Sequence, residues 1–184
     1  MRIIAGQHRG IALASVGKGD AGAHLRPTSD RVRESLFSVL VGYGMPGDAR
    51  VLDLFAGTGA LGLESLSRGA AHVTFVDDGR VAQRLIRENI AKLRREADCS
   101  LVARNALKLA ANSGAAFDLV FLDPPYGKGL GAKALLHARQ HGWIADNALI
   151  VFEENAPQDA PAGFDILEQR RYGDTHITLM EPTI

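Results

Sequence analysis

Apolar segments of strand length alternate with helical patterns along most of the chain. From residue 51 onward, continuous apolar runs such as 51–55 are followed by segments in which apolar residues recur every three or four positions. Continuous hydrophobicity is typical of parallel strands that are buried on both faces. The pattern therefore predicts an α/β fold with a mostly parallel sheet covered by helices.

The end of the chain departs from this alternation. Apolar runs about Ile166 and Ile177 are joined by Tyr172-Gly173-Asp174 without a helix between them. Strands joined by a short turn pair in antiparallel fashion, so the sheet is predicted to end in a C-terminal antiparallel hairpin. The seven predicted strands are residues 51–55, 72–76, 101–103, 117–122 and 148–152 and the runs about 166 and 177.

Residues 1–45 are predicted to form a small extension of a main domain at 46–184. Apolar runs at 2–5 and 10–13 flank a Gly-Gln-His-Arg turn, a pattern compatible with a small hairpin. A glycine-rich loop follows, and then the predicted helix, which starts at good N-cap residues: Thr28, Ser29 and Asp30.

Composition narrows the class of protein. The chain of 184 residues is 46% hydrophobic and has one cysteine, Cys99, which fits one core in a reducing cytoplasm. No Cys/His cluster suggests a metal, and no apolar run approaches the ~20 residues needed to cross a bilayer. The net charge is zero, without the overall basic signature of nucleic-acid binders, yet residues 1–34 carry six basic against three acidic residues.

A glycine-rich loop lies between the first strand and its helix. Gly57, Gly59 and Gly62 follow GxGxxG spacing, which brings a ligand close to the backbone and to a helix N-terminus. Asp77 lies 20 residues after Gly57, at the end of the second strand, where a carboxylate can accept hydrogen bonds from ribose hydroxyls. Asp78 is the alternative. The pattern predicts an adenosyl ligand, either NAD or S-adenosylmethionine.

Asp53 favours the second of these ligands. It lies inside the first strand, four residues before Gly57, and can reach a positively charged α-amino group near the loop residue Ala56. S-adenosylmethionine has this cation and NAD does not. Asp53 is also compatible with a buried carboxylate that accepts backbone hydrogen bonds.

The fourth strand runs directly into Asp123-Pro124-Pro125-Tyr126. Ligands of open α/β sheets bind outside the carboxyl ends of strands where the order reverses, so this tetrapeptide should face the glycine loop. The Asp123 carboxylate and the Pro124 carbonyl can accept the N–H groups of an exocyclic base amine, with prolines restricting the backbone. Tyr126 offers a face for stacking a flipped-out base. These three residues are the predicted catalytic group.

The tetrapeptide resembles the (Asp/Asn)-Pro-Pro-(Tyr/Phe) signature of Rossmann-like amino-methyltransferases, whose sheets have one reversed strand near an edge. The wider chain resembles one family among them, the bacterial small-subunit ribosomal RNA guanine-N2 methyltransferases of RsmD type. The matching segments are 2–6 with Arg9-Gly10, 25–37, 53–64 and 117–125.

The resemblance implies transfer of a methyl group from S-adenosylmethionine to N2 of a guanine in 16S ribosomal RNA. The substrate is expected within a small-subunit assembly particle, and the enzyme is expected to be a monomer. The resemblance assigns Asn105 and Ala106 to the adenine, although the family commonly has an acidic residue at Asn105. Substrate contacts are assigned to Arg26 and Thr28, and phosphate contacts to Arg2, Arg9, Arg31 and Arg33.

Three alternatives stay open at this point. An adenine-N6 methyltransferase on DNA or RNA would use the same tetrapeptide, because any planar exocyclic amine fits it. An NAD-dependent oxidoreductase would need a proton-relay residue that the sequence does not reveal. A non-catalytic RNA-binding assembly factor would use the arginines and the stacking residue but leaves the methyl-donor crevice unexplained.

Overall fold

The computed structural model describes residues 1–17, 25 and 27–184. Within these residues the chain forms one seven-stranded sheet of order β3-β2-β1-β4-β5-β7-β6. Strands β1 to β5 are parallel, and β7 is antiparallel to both β5 and β6. The strands are β1 Arg50–Leu54, β2 His72–Val76, β3 Cys99–Val102, β4 Phe117–Leu122, β5 Ile144–Glu154, β6 Phe164–Tyr172 and β7 Thr175–Pro182. The predicted mostly parallel sheet with a C-terminal hairpin is confirmed.

Four α-helices and the N-terminal hairpin cover the described part of the sheet. The helices are α1 Asp30–Gly42, α2 Ala60–Ser67, α3 Arg80–Leu93 and α4 Leu130–Gln140. Successive side chains of a strand point to opposite faces, and the apolar core is divided accordingly. Helices α1, α2 and α3 contribute to one cluster with Phe121, whereas α4 contributes to the other with Leu122. None of the described helices combines the length and apolar character required to span a membrane.

The N-terminal segment folds back on itself, with less strand structure than the pattern predicts. The Ile3 amide donates to the Ile11 carbonyl at 2.9 Å, and one antiparallel bridge joins Arg2 to Ala12. Ile3 and Leu13 are buried in the same cluster as α1. This hairpin therefore packs on the helical layer, while the predicted boundary at 45/46 stays a prediction.

Strand β5 begins earlier than the predicted 148–152. It starts at Ile144, which pairs with Phe117 across a register shift, and the adjoining Trp143 stacks on the Phe117 ring at 5.8 Å between centroids. Asp146 and Asn147 are exposed within this part of the strand. Polar residues at an exposed strand end do not give the continuous apolar pattern from which the strand was predicted.

Candidate active site

The glycine loop and the Asp-Pro-Pro-Tyr segment lie at the same edge of the sheet. Strands β1 and β4 are neighbours, and the Asp123 amide approaches the Leu54 carbonyl to 3.5 Å at their ends. The order reverses between them, because β2 and β3 follow on one side and β5 on the other. This is the position at which open α/β sheets bind ligands. The structure therefore brings together the two segments that were predicted to face each other.

The backbone after β1 turns sharply. Phe55, Gly57 and Gly59 have φ values of 58°, 60° and 81°. Positive φ is readily adopted by glycine but rarely by other residues. A third glycine, Gly62, allows α2 to lie directly on β2, since a Cβ atom there would be 2.5 Å from the Phe75 ring. The three glycines thus have separate physical roles in turning the loop and packing its helix.

Asp77 connects the end of β2 to the glycine loop. Its Oδ2 accepts the Gly57 amide at 2.9 Å, and its Oδ1 accepts the Gly79 amide at 2.8 Å. Burial raises the pKa of Asp77, and the two amide hydrogen bonds act in the opposite direction. Each carboxylate oxygen can accept more than one hydrogen bond. The contact with Gly57 leaves the carboxylate capable of accepting ribose hydroxyls as well.

Asp78 and Asn105 contact each other at the rim of this region. The Asn105 Nδ2 donates to the Asp78 carboxylate at 3.2 Å, and the Asn105 Oδ1 accepts the Leu107 amide at 2.8 Å. Asn105 is thereby the N-cap of a one-turn 3-10 helix, Ala106–Lys108, in which Ala106 is buried. Local capping accounts for an asparagine at this position, and its contact with an adenine stays a prediction.

Asp53 is buried beneath the glycine loop, with an exposed fraction of 1%. Its Oδ2 accepts the Gly62 amide at 3.0 Å. Burial raises the pKa of Asp53 to about 8, with a smaller contribution in the same direction from Asp77. The carboxyl therefore fixes the start of α2, and it would gain a charge partner if a cation bound beside it.

Asp123 and Pro124 follow the end of β4, on the same edge of the sheet as the glycine loop, and the region between these two segments is the proposed crevice. Pro124 is buried under the start of α4, where a Cβ atom on Gly131 would be 3.2 Å from the proline ring and 2.3 Å from Phe152. Burial raises the pKa of Asp123, and Glu153 is the largest charged contributor, followed by Asp53 and Glu154. The groups that act on Asp123 are carboxylates, so this crevice has an acidic interior.

Glu153 and Glu154, at the end of β5, are site residues that the sequence analysis missed. Glu153 accepts the Tyr126 hydroxyl at 3.0 Å and the Thr28 hydroxyl at 2.9 Å. Glu154 accepts the Gly127 amide at 3.3 Å. Burial and the charge of Glu153 raise the pKa of Tyr126. The sequence signal was the presence of two adjacent acidic residues at the end of an apolar run. Acidic residues are rarely buried without a polar partner, so their position at a buried strand indicates a polar site.

The prediction of a phosphate contact for Arg33 is wrong. Its side chain is fully buried and forms ion pairs with Asp30 and, at 3.5 Å, with Glu64, and it donates to the Arg2 carbonyl at 2.9 Å. Glu64 also accepts the Ile4 amide at 2.9 Å. Arg33 therefore joins α1, α2 and the N-terminal hairpin inside the protein, where phosphate cannot reach it.

The other predicted substrate residues differ in exposure. Arg2, Arg9 and Arg31 are exposed, and Arg2 lies 3.8 Å from the Asp30 carboxylate. Thr28 is buried and bonded to Glu153. Arg26 lies outside the described residues. Contacts of these residues with RNA stay predictions.

Comparison with known proteins adds to this geometry. The family described as "Conserved hypothetical protein 95" matches residues 1–181. The chain belongs to this family. It is 40% identical to ribosomal RNA small subunit methyltransferase D of Escherichia coli K12, over 98% of the chain and 89% of that protein. The Haemophilus influenzae protein of the same name is 35% identical over 94% of the chain and 89% of its own length.

A solved structure gives the same result for the fold. The yhhF protein of Escherichia coli superposes with a TM-score of 0.84 at 37% identity, covering 99% of the chain and 97% of that structure. The resemblance predicted from the sequence, including the methyltransferase class and the Rossmann-like sheet, is confirmed.

Proposed function

We propose that this methyltransferase uses S-adenosylmethionine to methylate the exocyclic N2 of a guanine in small-subunit ribosomal RNA. The observation that carries the proposal is the position of the glycine loop and of Asp123 and Pro124 at the ends of the adjacent strands β1 and β4. The names of the 40% and 35% identical relatives support the choice of small-subunit ribosomal RNA.

The charge of the crevice favours this donor over NAD. Asp53, Asp77, Asp123 and Glu153 lie at or next to the ends of β1, β2, β4 and β5. Asp77 raises the pKa of Asp53, and Glu153 and Asp53 raise the pKa of Asp123. S-adenosylmethionine brings a sulfonium and an ammonium cation, whereas NAD brings two phosphate anions. A cation bound beside these carboxyls would lower their raised pKa values and stabilise the ionised, attractive form, whereas phosphate anions would raise the pKa values further. An acidic interior therefore fits a cationic donor.

Each wall of the crevice has a separate binding role in the proposed reaction. The Asp53 carboxylate would hold the ammonium group, and the backbone at Gly57 and Gly59 would lie against the amino-acid part of the donor. Asp77 would accept the ribose hydroxyls. When bound, the donor supplies an electrophilic methyl group whose bonding electrons to carbon leave with sulfur.

The opposite wall acts on the base. The Asp123 carboxylate and the Pro124 carbonyl would accept the two N–H bonds of the amine, which directs the nitrogen lone pair toward the methyl carbon. The Tyr126 ring would stack on the base, a contact worth ~1–3 kcal/mol in single-strand binders. After the N–C bond forms, the nitrogen gives one proton to Asp123. Positioning supplies most of the rate enhancement.

The exposed arginines extend the proposal to the RNA backbone. Arg2, Arg9 and Arg31 would contact phosphates, and Arg26 would lie beside the target nucleotide. We further propose that the protein acts as a monomer in the cytoplasm, on a small-subunit assembly particle.

Transfer of radiolabelled methyl groups to small subunits tests the function. Subunits from cells that lack the corresponding enzyme should be labelled by the wild-type protein, and the modified nucleotide should be an N2-methylguanine. Asp123→Ala should abolish labelling while RNA binding stays nearly unchanged. Asp146→Asn is a matched control, because Asp146 is exposed and pairs with Arg139 on another part of the surface. Labelling of adenine, or equal labelling by Asp123→Ala, would contradict the proposal.

A further inference from the structure

The side chain of Glu153 connects two segments that are remote in sequence. It is 5% exposed, its Oε1 accepts the Tyr126 hydroxyl at 3.0 Å, and its Oε2 accepts the Thr28 hydroxyl at 2.9 Å. A buried carboxylate is costly unless hydrogen bonds stabilise it. The hydrogen bonds from the two hydroxyls therefore stabilise the buried carboxylate, and the carboxylate in turn fixes the positions of both hydroxyls.

The segment on the Thr28 side is anchored to the body of the protein. Thr28 precedes Ser29, whose side chain accepts the Val32 amide and caps α1. Helix α1 is joined to α2 by the buried ion pair of Arg33 and Glu64. Glu153 thus lies between a fixed helix start and the aromatic ring of the crevice.

The hydroxyl of Tyr126 determines the position of its ring. A tyrosine ring moves by rotation about χ1 and χ2, and staggered χ1 values give well-separated ring positions. Hydrogen bonds with Glu153 and Thr175 at the far end of the ring select one of these positions. A phenylalanine at this position would stack equally well but would lack this restraint.

We propose that Glu153 is a positioning residue for methyl transfer, which fixes the Tyr126 ring by bridging it to Thr28. This inference rests on the proposed function, in which the ring carries the target base. Glu153 does not touch the reacting atoms. It limits the angle at which the base amine enters between Asp123 and Pro124, and Thr28 contributes to this positioning through its hydrogen bond with Glu153.

Steady-state transfer to the same small subunits tests the proposal with four variants. Tyr126→Phe, Thr28→Val and Glu153→Leu remove one partner each, and misplacement of a bound reactant lowers kcat by about 10- to 100-fold. We expect this loss in kcat for Tyr126→Phe, with the KM for RNA changing much less because the stacking face is kept. Glu153→Gln retains a carbonyl acceptor and should restore part of the loss seen in Glu153→Leu.

A double variant separates positioning from independent effects. If the bridge is responsible, the loss of kcat caused by Tyr126→Phe should be much smaller in the Glu153→Leu background than in the wild type, where only the contact with Thr175 remains to be lost. Measurements of thermal unfolding and of donor binding identify variants that fail to fold. If Glu153→Leu is one of them, Tyr126→Phe and Glu153→Gln still test the hydrogen bond from each of its two partners. Wild-type kcat in Tyr126→Phe, or fully additive losses, would overturn the proposal. Failure of the wild-type protein to label RNA would instead refute the proposed function.

Discussion

The Gly57 amide donates to the Asp77 carboxylate at 2.9 Å, so the glycine loop is held by the group that we propose binds the donor ribose. The same carboxylate also accepts the Gly79 amide at the start of α3. Under the proposed function, donor affinity and loop geometry are coupled through this one side chain.

Asp77→Asn is expected to weaken binding of S-adenosylmethionine by about 10- to 100-fold, the equivalent of the ~1.5–3 kcal/mol of a hydrogen bond to a charged group. The asparagine side chain has one acceptor atom instead of two. Its NH2 group would face one of the two backbone N–H groups, donor against donor, and fewer acceptor positions remain for the ribose hydroxyls. Calorimetric titration measures the affinity, with Asp146→Asn as the control. Unchanged affinity would remove Asp77 from the donor site.

Arg33→Met is expected to lower the free energy of unfolding by about 1–3 kcal/mol, because the buried Glu64 loses one of its two ion pairs and keeps only the one with Arg68 at 2.8 Å. Urea denaturation measures this change. Arg9→Met is the matched control, since the exposed Arg9 should alter stability by less than about 0.5 kcal/mol. A stable Arg33→Met protein with weakened RNA binding would restore the phosphate contact that the structure contradicts.

Arg9→Met should change RNA binding instead. If Arg9 contacts one phosphate, the variant releases about one counterion fewer, and the slope of log K against log salt should become shallower by ~0.7–0.9. Filter binding to small subunits at several salt concentrations gives this slope. The same slope as the wild type would show that Arg9 lies outside the RNA interface.

Asp53→Asn is expected to stabilise the donor-free protein while it weakens donor binding. The pKa of Asp53 is about 8 in the folded protein, against an ordinary value of 3.8. Between these values the folded state holds a proton that the unfolded state releases, so the stability of the wild type falls as pH rises from about 4 to about 8. Asparagine does not titrate, so this part of the decline is absent from the variant.

Thermal unfolding of both proteins at pH 5 and pH 8 measures this difference. The variant should gain more in Tm over the wild type at pH 8 than at pH 5, and each 1 kcal/mol corresponds to about 2–4 °C for a chain of this size. An equal difference in Tm at the two pH values would contradict a buried, protonated Asp53.

The rate of transfer should rise with pH through the raised pKa of Asp123. Only the ionised carboxylate accepts the amine proton, and burial with the charges of Glu153, Asp53 and Glu154 favours the protonated form. Glu153→Gln removes a negative charge, which lowers the pKa of Asp123, so the acidic limb should move to lower pH. Single-turnover rates at saturating donor measure the limb. A shift to higher pH would contradict the assignment.

Local patterns were enough to predict most of the sheet and the two loops. The run before Gly57 and the run before Asp123 are continuous and apolar because each strand is covered on both faces. The spacing from Gly57 to Asp77 follows from the length of one helix and two strand ends. These features depend on residues that are close in sequence.

The roles of Arg33 and Glu153 depend on tertiary contacts. Arg33 lies in the first turn of α1, where several residues are charged. Its burial depends on the ion pair with Glu64, which is 31 residues away. Glu153 is 125 residues from Thr28, and no spacing rule relates them. A basic residue in a basic segment was therefore assigned to the surface, and an acidic residue at a strand end was not assigned at all.

Strand β7 has a consequence for synthesis of the enzyme. Because β7 lies between β5 and β6 and pairs Ile177 with Glu153, the Glu153 strand has an open edge until residues 175–182 have left the ribosome. Nascent chains that already include the glycine loop and the Asp-Pro-Pro-Tyr segment should therefore be inactive and prone to association. We expect activity to be acquired late, after the final hairpin has closed the sheet.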